Sequence, residues 1–117
     1  MPTDNKISEM LIAVSGELLQ SVDSQQEMQA HLDLVKTAWN MATESGDKRK
    51  QELKRFMSMQ ERYAPSAEAL KTLEWEMRKI MKQKDRLFPE VNNKVVIAEA
   101  VEIDKNDYII RAYFETA

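Results

Sequence analysis

Residues 94–114, KVVIAEAVEIDKNDYIIRAYF, decide the fold class of this 117-residue chain. β-Branched and aromatic residues alternate with polar ones in two runs, residues 94–103 and 108–115, and this period of two predicts two strands. The polar stretch 104–107 between them predicts a turn, in which Asn106 is the residue best suited to a positive φ. An antiparallel β-hairpin is therefore expected at the carboxy-terminal end of the sequence.

The alternation also suggests a strand register. If the four-residue turn places Ile103 opposite Tyr108, one face of the hairpin becomes almost wholly apolar. The expected cross-strand pairs are Ile103–Tyr108, Val101–Ile110, Glu99–Ala112 and Ile97–Phe114. On the other face, Glu102 would lie diagonal to Arg111 as a weak surface ion pair.

Upstream of the hairpin, apolar residues recur at spacings of three and four, which predicts amphipathic helices. Ser24 and Glu27 have the capping-box spacing of a helix start, and Pro65-Ser66 combines a helix stop with a new cap. Gly16 is expected inside the first helix, where it costs about 1 kcal/mol relative to Ala. The expected helices cover residues 4–20, 25–45, 48–63 and 67–86.

These elements predict an α+β, mainly α fold in a single domain, residues 1–117: a four-helix amphipathic bundle followed by a C-terminal antiparallel β-hairpin. The composition agrees, because 43% hydrophobic and 32% charged residues are too apolar for a disordered chain and too charged for a membrane span. The absence of cysteine excludes disulfides and thiolate metal sites. Neither a signal peptide nor a membrane anchor is indicated at the amino terminus, so a cytoplasmic location without membrane association is expected.

The charges are distributed unevenly. Residues 1–47 carry two basic and eight acidic side chains, residues 48–86 carry twelve basic and six acidic ones, and residues 87–117 carry three basic and six acidic ones. A basic segment predicts contact with phosphates, here through helices 48–55 and 78–86. The candidate nucleic-acid-binding residues are Lys48, Arg49, Lys50, Lys54, Arg55, Arg78, Lys79 and Lys82. The alternative is that these charges are solvated or pair with acidic neighbours, which the pI of about 5.3 favours.

Few residues in this chain are of the types and spacings that catalysis requires. His31 is the single histidine, and Glu27, four residues before it, lies on the same helical face and could supply a second metal ligand. A metal needs more ligands than this pair, and two glycines cannot build a phosphate-binding loop. Neither a metal nor another cofactor is expected, and the protein is expected not to be an enzyme. An enzymatic role would require an enclosed pocket around His31 or Glu99.

Glu99 is the exception on the apolar face of the expected hairpin, where an unpaired carboxylate is costly to bury. A β-bulge could turn it outward, it could act as an edge charge that opposes aggregation, or it could face a partner or ligand. Trp75 falls off the apolar stripe of its helix and is therefore a candidate interface anchor. The expected interface residues are Val95, Ile97, Glu99, Val101, Ile110, Phe114 and Trp75.

A two-stranded hairpin is marginal in water, and its edges present unpaired backbone groups. This hairpin is therefore expected to lie against helices and also to contact another chain. The leading functional expectation is a small non-catalytic protein-interaction or assembly protein that acts through an apolar hairpin and helix surface as a homodimer. The alternative is a nucleic-acid-associated regulator that uses the basic helices.

Overall fold

The computed structural model describes residues 6–19, 24–105 and 107–115. In that part of the chain, four helices precede a two-stranded antiparallel hairpin, which confirms the expected α+β, mainly α class. The helices are α1 (Lys6–Ser15), α2 (Gln25–Ala42), α3 (Gly46–Gln60) and α4 (Ala67–Leu87), and the strands are β1 (Val95–Asp104) and β2 (Asp107–Phe114). None of the described helices is long and apolar enough to cross a lipid bilayer.

Local sequence signals set most helix ends. Ser24 caps α2 through its hydroxyl oxygen, which accepts the Glu27 N–H at 3.1 Å, and Ser66 caps α4 by accepting the Ala69 N–H at 3.1 Å. The expectation that the first helix continues through Gly16 to residue 20 is wrong. Gly16 has φ +60° and ends α1 at Ser15, because a residue without Cβ adopts this left-handed conformation at little cost.

Three other helix boundaries differ from their expected positions by two or three residues, and one of them is the end of α3, at Gln60 rather than residue 63. α2 ends at Ala42, three residues early, and α3 begins at Gly46, which also has a positive φ of 58°. The expected start of the first helix at residue 4 and the expected turn residue Asn106 lie outside the described residues.

Trp39 of α2 lies at the centre of the core, where α2 packs against α4 and the hairpin. It is fully buried, and its indole N–H donates to the Asn93 carbonyl at 2.9 Å. Its ring lies 5.9 Å from the Phe88 ring and 6.2 Å from the Phe114 ring, measured between centroids. Since a buried indole must satisfy its N–H, this bond fixes the chain between α4 and β1 against α2. The other fully buried large apolar side chains are Leu11, Val14, Leu19, Met28, Leu32, Val35, Met77, Ile80, Val95 and Ile110.

The expected hairpin register is wrong by one residue. Asp104 pairs with Asp107, but an irregularity between Glu102 and Asp104 gives β1 an extra residue at Ile103. Because of this bulge, the pairs farther from the turn are shifted by one residue, so that Glu99 lies opposite Arg111 rather than Ala112. The other shifted pairs are Glu102–Tyr108, Val101–Ile109, Ala100–Ile110, Ala98–Ala112 and Ile97–Tyr113.

The shift exchanges the two faces of β1 only, because Tyr108, Ile110 and Ala112 of β2 are buried as expected. Ala98, Ala100 and Ala112 are buried, because their small side chains let the helices approach the strands closely. A second irregularity between Val95 and Ile97 returns Val95 to the buried face. Glu99 is exposed, as the bulge interpretation of this residue required.

The free edge of β1 is covered by polar side chains of α2. Asn40 donates to the Val95 carbonyl at 2.8 Å and accepts the Val95 N–H at 2.7 Å. Gln29 makes the same kind of double contact, donating to the Ala98 carbonyl at 2.9 Å and accepting the Ala100 N–H at 2.8 Å. The edge groups of Val95, Ala98 and Ala100 are therefore not open to a strand of another chain, since helix side chains already occupy them.

Candidate interaction surfaces

The solvent-facing side of the hairpin is the first candidate surface. We call it the outer ribbon face; it consists of the cross-strand pairs Ile97–Tyr113, Glu99–Arg111 and Val101–Ile109. Ile97 and Tyr113 are 46% and 44% exposed, whereas Val101 and Ile109 are half-buried. An apolar pair thus lies on each side of a central pair of opposite charges. The bulge residues Val96 and Ile103 add further exposed apolar surface.

The structure divides the expected interface residues into two groups. Val95 and Ile110 are buried within the chain, and Phe114 is half-buried with its ring stacked on Trp39. Ile97, Glu99 and Val101 lie instead on the outer ribbon face. Their neighbours Ile109, Arg111 and Tyr113 were missed by the sequence analysis, although opposite charges at residues 99 and 111 favour the observed register.

One side of α4 is the second candidate surface. We call it the α4 basic face; it consists of Lys71, Trp75, Arg78, Lys79, Lys82 and Arg86, all exposed. Their spacing of three and four residues places them along one stripe of the helix. All but Lys71 line, together with Gln83, a shallow depression of about 400 Å³. The Lys79 ammonium lies 4.9 Å from the centroid of the Trp75 ring, a cation–π contact. The sequence analysis had treated Trp75 as a protein-interface residue, separate from these cations.

Arg49, one of the expected nucleic-acid-binding residues, is engaged within the fold. Its guanidinium contacts both Asp85 carboxylate oxygens, at 2.7 and 3.0 Å, and donates to the Ala42 and Glu44 carbonyls at 2.7 and 2.8 Å. Arg49 thereby satisfies backbone carbonyls at the end of α2 and links α3 to α4. The hydrogen bond to Asp85 raises the pKa of Arg49 above its ordinary value.

The other basic residues of α3 do not form one surface. Lys48 pairs with Glu44 at 3.2 Å. Lys50 and Lys54 line, with Arg78, a groove of about 390 Å³ between α3 and α4. Arg55 lines a separate depression between α2 and α3.

Glu44 joins the end of α2 to the start of the hairpin. Its carboxylate lies 3.0 Å from the Lys94 ammonium as well as 3.2 Å from that of Lys48. The hydrogen bonds from Lys94 and then Lys48 lower the pKa of Glu44. Lys94 also donates to the Thr43 hydroxyl at 2.7 Å, so this cation serves the fold rather than an open basic surface.

Lys84 belongs to the basic segment 78–86 of the sequence, but it does not contribute to a basic surface. The residue is 1% exposed, and its ammonium lies 5.5 Å from the centroid of the Trp39 ring. Burial disfavours the charged form and lowers the pKa of Lys84. The adjacent Asp85 opposes this effect, and Arg49 adds to it.

The residues considered for metal binding or catalysis are dispersed. Nδ1 of His31 lies 2.9 Å from the Leu18 carbonyl, a contact that ties α2 to the segment after α1. Across residues 6–19, 24–105 and 107–115, no cluster of three potential metal ligands occurs. Glu99 is exposed on the outer ribbon face rather than enclosed in a pocket.

Comparison of the chain with protein-family models, curated proteins and solved structures finds no match. Function must therefore be argued from the side chains and their geometry.

Proposed function

We propose that this protein is a non-catalytic assembly protein that forms a reversible, symmetric homodimer through its outer ribbon face. The observation that carries the proposal is the exposed apolar pair Ile97–Tyr113, 46% and 44% exposed, which lies beside the oppositely charged pair Glu99–Arg111 on the same face. Exposed apolar residues that are rimmed by polar ones on a small protein are typical of an interaction site. Because helix side chains occupy backbone groups at the β1 edge, association through the face of the ribbon is favoured over extension of the sheet at β1.

The charge pattern of this face fits a second copy of the same chain. Glu99 lies opposite Arg111 on the neighbouring strand. A two-fold axis that runs along the ribbon between the strands places Glu99 of one copy over Arg111 of the other, and the reverse. The same rotation places Ile97 over Tyr113 and Val101 over Ile109. A self-complementary patch of this kind is what an isologous dimer requires.

The size of the ribbon limits its affinity. Eight residues at about 3.3 Å each, two strands wide, give a face of roughly 26 by 10 Å. This is smaller than the roughly 800 Å² per partner of a standard protein interface. A dissociation constant in the micromolar range or weaker is therefore expected. It corresponds to a binding free energy on the order of −8 kcal/mol or less favourable.

Sedimentation equilibrium over about 1 µM to 1 mM protein tests this proposal around that expected affinity. The wild-type chain should change reversibly from monomer to dimer. Glu99→Arg and Arg111→Glu each place like charges across the interface and should abolish the dimer, whereas the double exchange restores opposite charges and should recover it. Glu102→Lys is the matched control, because this exposed carboxylate is on β1 but outside the outer ribbon face.

Circular dichroism of each variant shows whether the fold is intact. A wild-type chain that remains monomeric over the whole range contradicts the proposal. A dimer that is equally stable in both single variants contradicts it as well, because association would then use another surface.

A further inference from the structure

The α4 basic face presents an aromatic ring among cations, away from the core. Trp75 is 58% exposed, whereas Met77, Ile80 and Met81 supply the buried side of the same helix. An indole that contributes little to the core leaves a large flat surface available to a ligand. Exposed aromatic rings beside cations are the usual means by which proteins bind single-stranded nucleic acid, through base stacking and phosphate contacts.

The cations around Trp75 are largely available. Within the described part of the chain, Lys71, Lys79, Lys82 and Arg86 form no salt bridge, and Arg86 donates only to the neutral Gln83 amide at 2.7 and 3.1 Å. Arg78 contacts Glu74 at 3.3 Å, but both side chains are substantially exposed. Such a surface pair is weak and can exchange its carboxylate for a phosphate.

The length of the α4 basic face matches a short single strand of nucleic acid. Residues 75 to 86 span about 16 Å at 1.5 Å per residue, with a cation at every turn after Trp75. At about 3.4 Å per phosphate along a stacked strand, this length covers roughly five nucleotides. The cations can therefore follow the backbone while one base stacks on the indole.

The geometry points to the α4 basic face as a binding site for single-stranded nucleic acid, with Trp75 as the stacking platform and Arg78, Lys79, Lys82 and Arg86 as phosphate contacts. A membrane surface fits less well, since an interfacial helix inserts a broad apolar face and that face of α4 is buried. An acidic peptide would use the cations but not the indole. This site does not depend on the homodimer, because it shares no residue with the outer ribbon face.

Fluorescence anisotropy with a labelled 20-nucleotide oligo(dT), at low salt, tests the site on the full chain. Binding should be saturable and should weaken with salt, with a slope of log K against log[salt] near −3 for four phosphate contacts at about −0.7 each. Because Trp39 is buried and Trp75 is exposed, binding should also quench the Trp75 fluorescence, which a Trp75→Phe variant separates from that of Trp39.

Two classes of variant separate stacking from charge. Trp75→Ala should weaken binding about tenfold or more with little change in salt slope, and Trp75→Phe should retain part of the affinity. Lys79→Ala and Lys82→Ala should each reduce the slope by about 0.7. Lys105→Ala is the matched control, since this lysine is exposed at the hairpin turn, and circular dichroism checks the fold of each variant.

Several outcomes would overturn the inference. One is a failure of oligo(dT) to bind even at low salt, and another is a Trp75→Ala variant that binds it as tightly as the wild type does. Tighter binding to polyglutamate or to vesicles rich in phosphatidylserine would assign the face to an acidic protein or to a membrane. Equal binding of duplex DNA without Trp75 quenching would reduce the site to a non-specific charge patch.

Discussion

Removal of the Asn40 amide tests how α2 holds the edge of β1. Asn40 satisfies both the N–H and the carbonyl of Val95, at 2.7 and 2.8 Å, and Val95 is only 1% exposed. In Asn40→Ala the buried N–H loses its partner at a cost of about 1–3 kcal/mol, and the second hydrogen bond adds about 1 kcal/mol. The higher helix propensity of alanine offsets about 0.5 kcal/mol of this loss. The expected loss of unfolding free energy is therefore about 1.5–3.5 kcal/mol.

Urea denaturation followed by circular dichroism measures this loss. Gln29→Ala also removes two hydrogen bonds to β1 and should be destabilising, whereas Gln26→Ala, an exposed amide of the same helix, should change stability by less than about 0.5 kcal/mol. Hydrogen exchange should show faster exchange of the Val95 amide in Asn40→Ala. If Asn40→Ala unfolds at the same urea concentration as Gln26→Ala, the edge contacts do not stabilise the hairpin and the reasoning fails.

Two further predictions concern residues whose roles were misjudged from sequence. Lys84→Met retains the bulk of a buried side chain but removes its charge, so unfolding free energy at neutral pH should be unchanged or higher by about 1–4 kcal/mol. Because the folded-state pKa of Lys84 is lowered from 10.5, the wild type should gain stability relative to Lys84→Met as the pH rises from that lowered pKa towards 10.5, in denaturation curves measured at each pH. A wild type that loses stability relative to Lys84→Met over this range would contradict the buried-cation interpretation. Gly16→Ala should lower the unfolding free energy by about 1–2 kcal/mol, since φ is +60° there; a stabilised variant in thermal denaturation would instead place Gly16 inside a helix.

Neighbouring residues were sufficient to predict the type and order of the elements. The change of hydrophobic period after residue 93 separates the helices from the hairpin. Ser24 and Ser66 begin helices because a hydroxyl three residues before an orphan N–H satisfies it within one turn. These signals act over a few residues, so the same groups meet in any fold that contains the helix.

The candidate surfaces depended on contacts between distant parts of the chain. Ile97, Glu99 and Val101 face solvent because Asn40, Gln29 and Gln25 of α2 hydrogen-bond the other residues of β1, 55 to 75 positions away. Both faces of the hairpin are apolar enough to be buried, so alternation alone could not choose between them. The burial of Lys84 and the internal role of Arg49 have the same origin, whereas the exposure of Trp75 follows from its position off the apolar stripe of α4. A residue's spacing defines its face on a helix or strand, but only the packing of that element against its neighbours decides which face meets water.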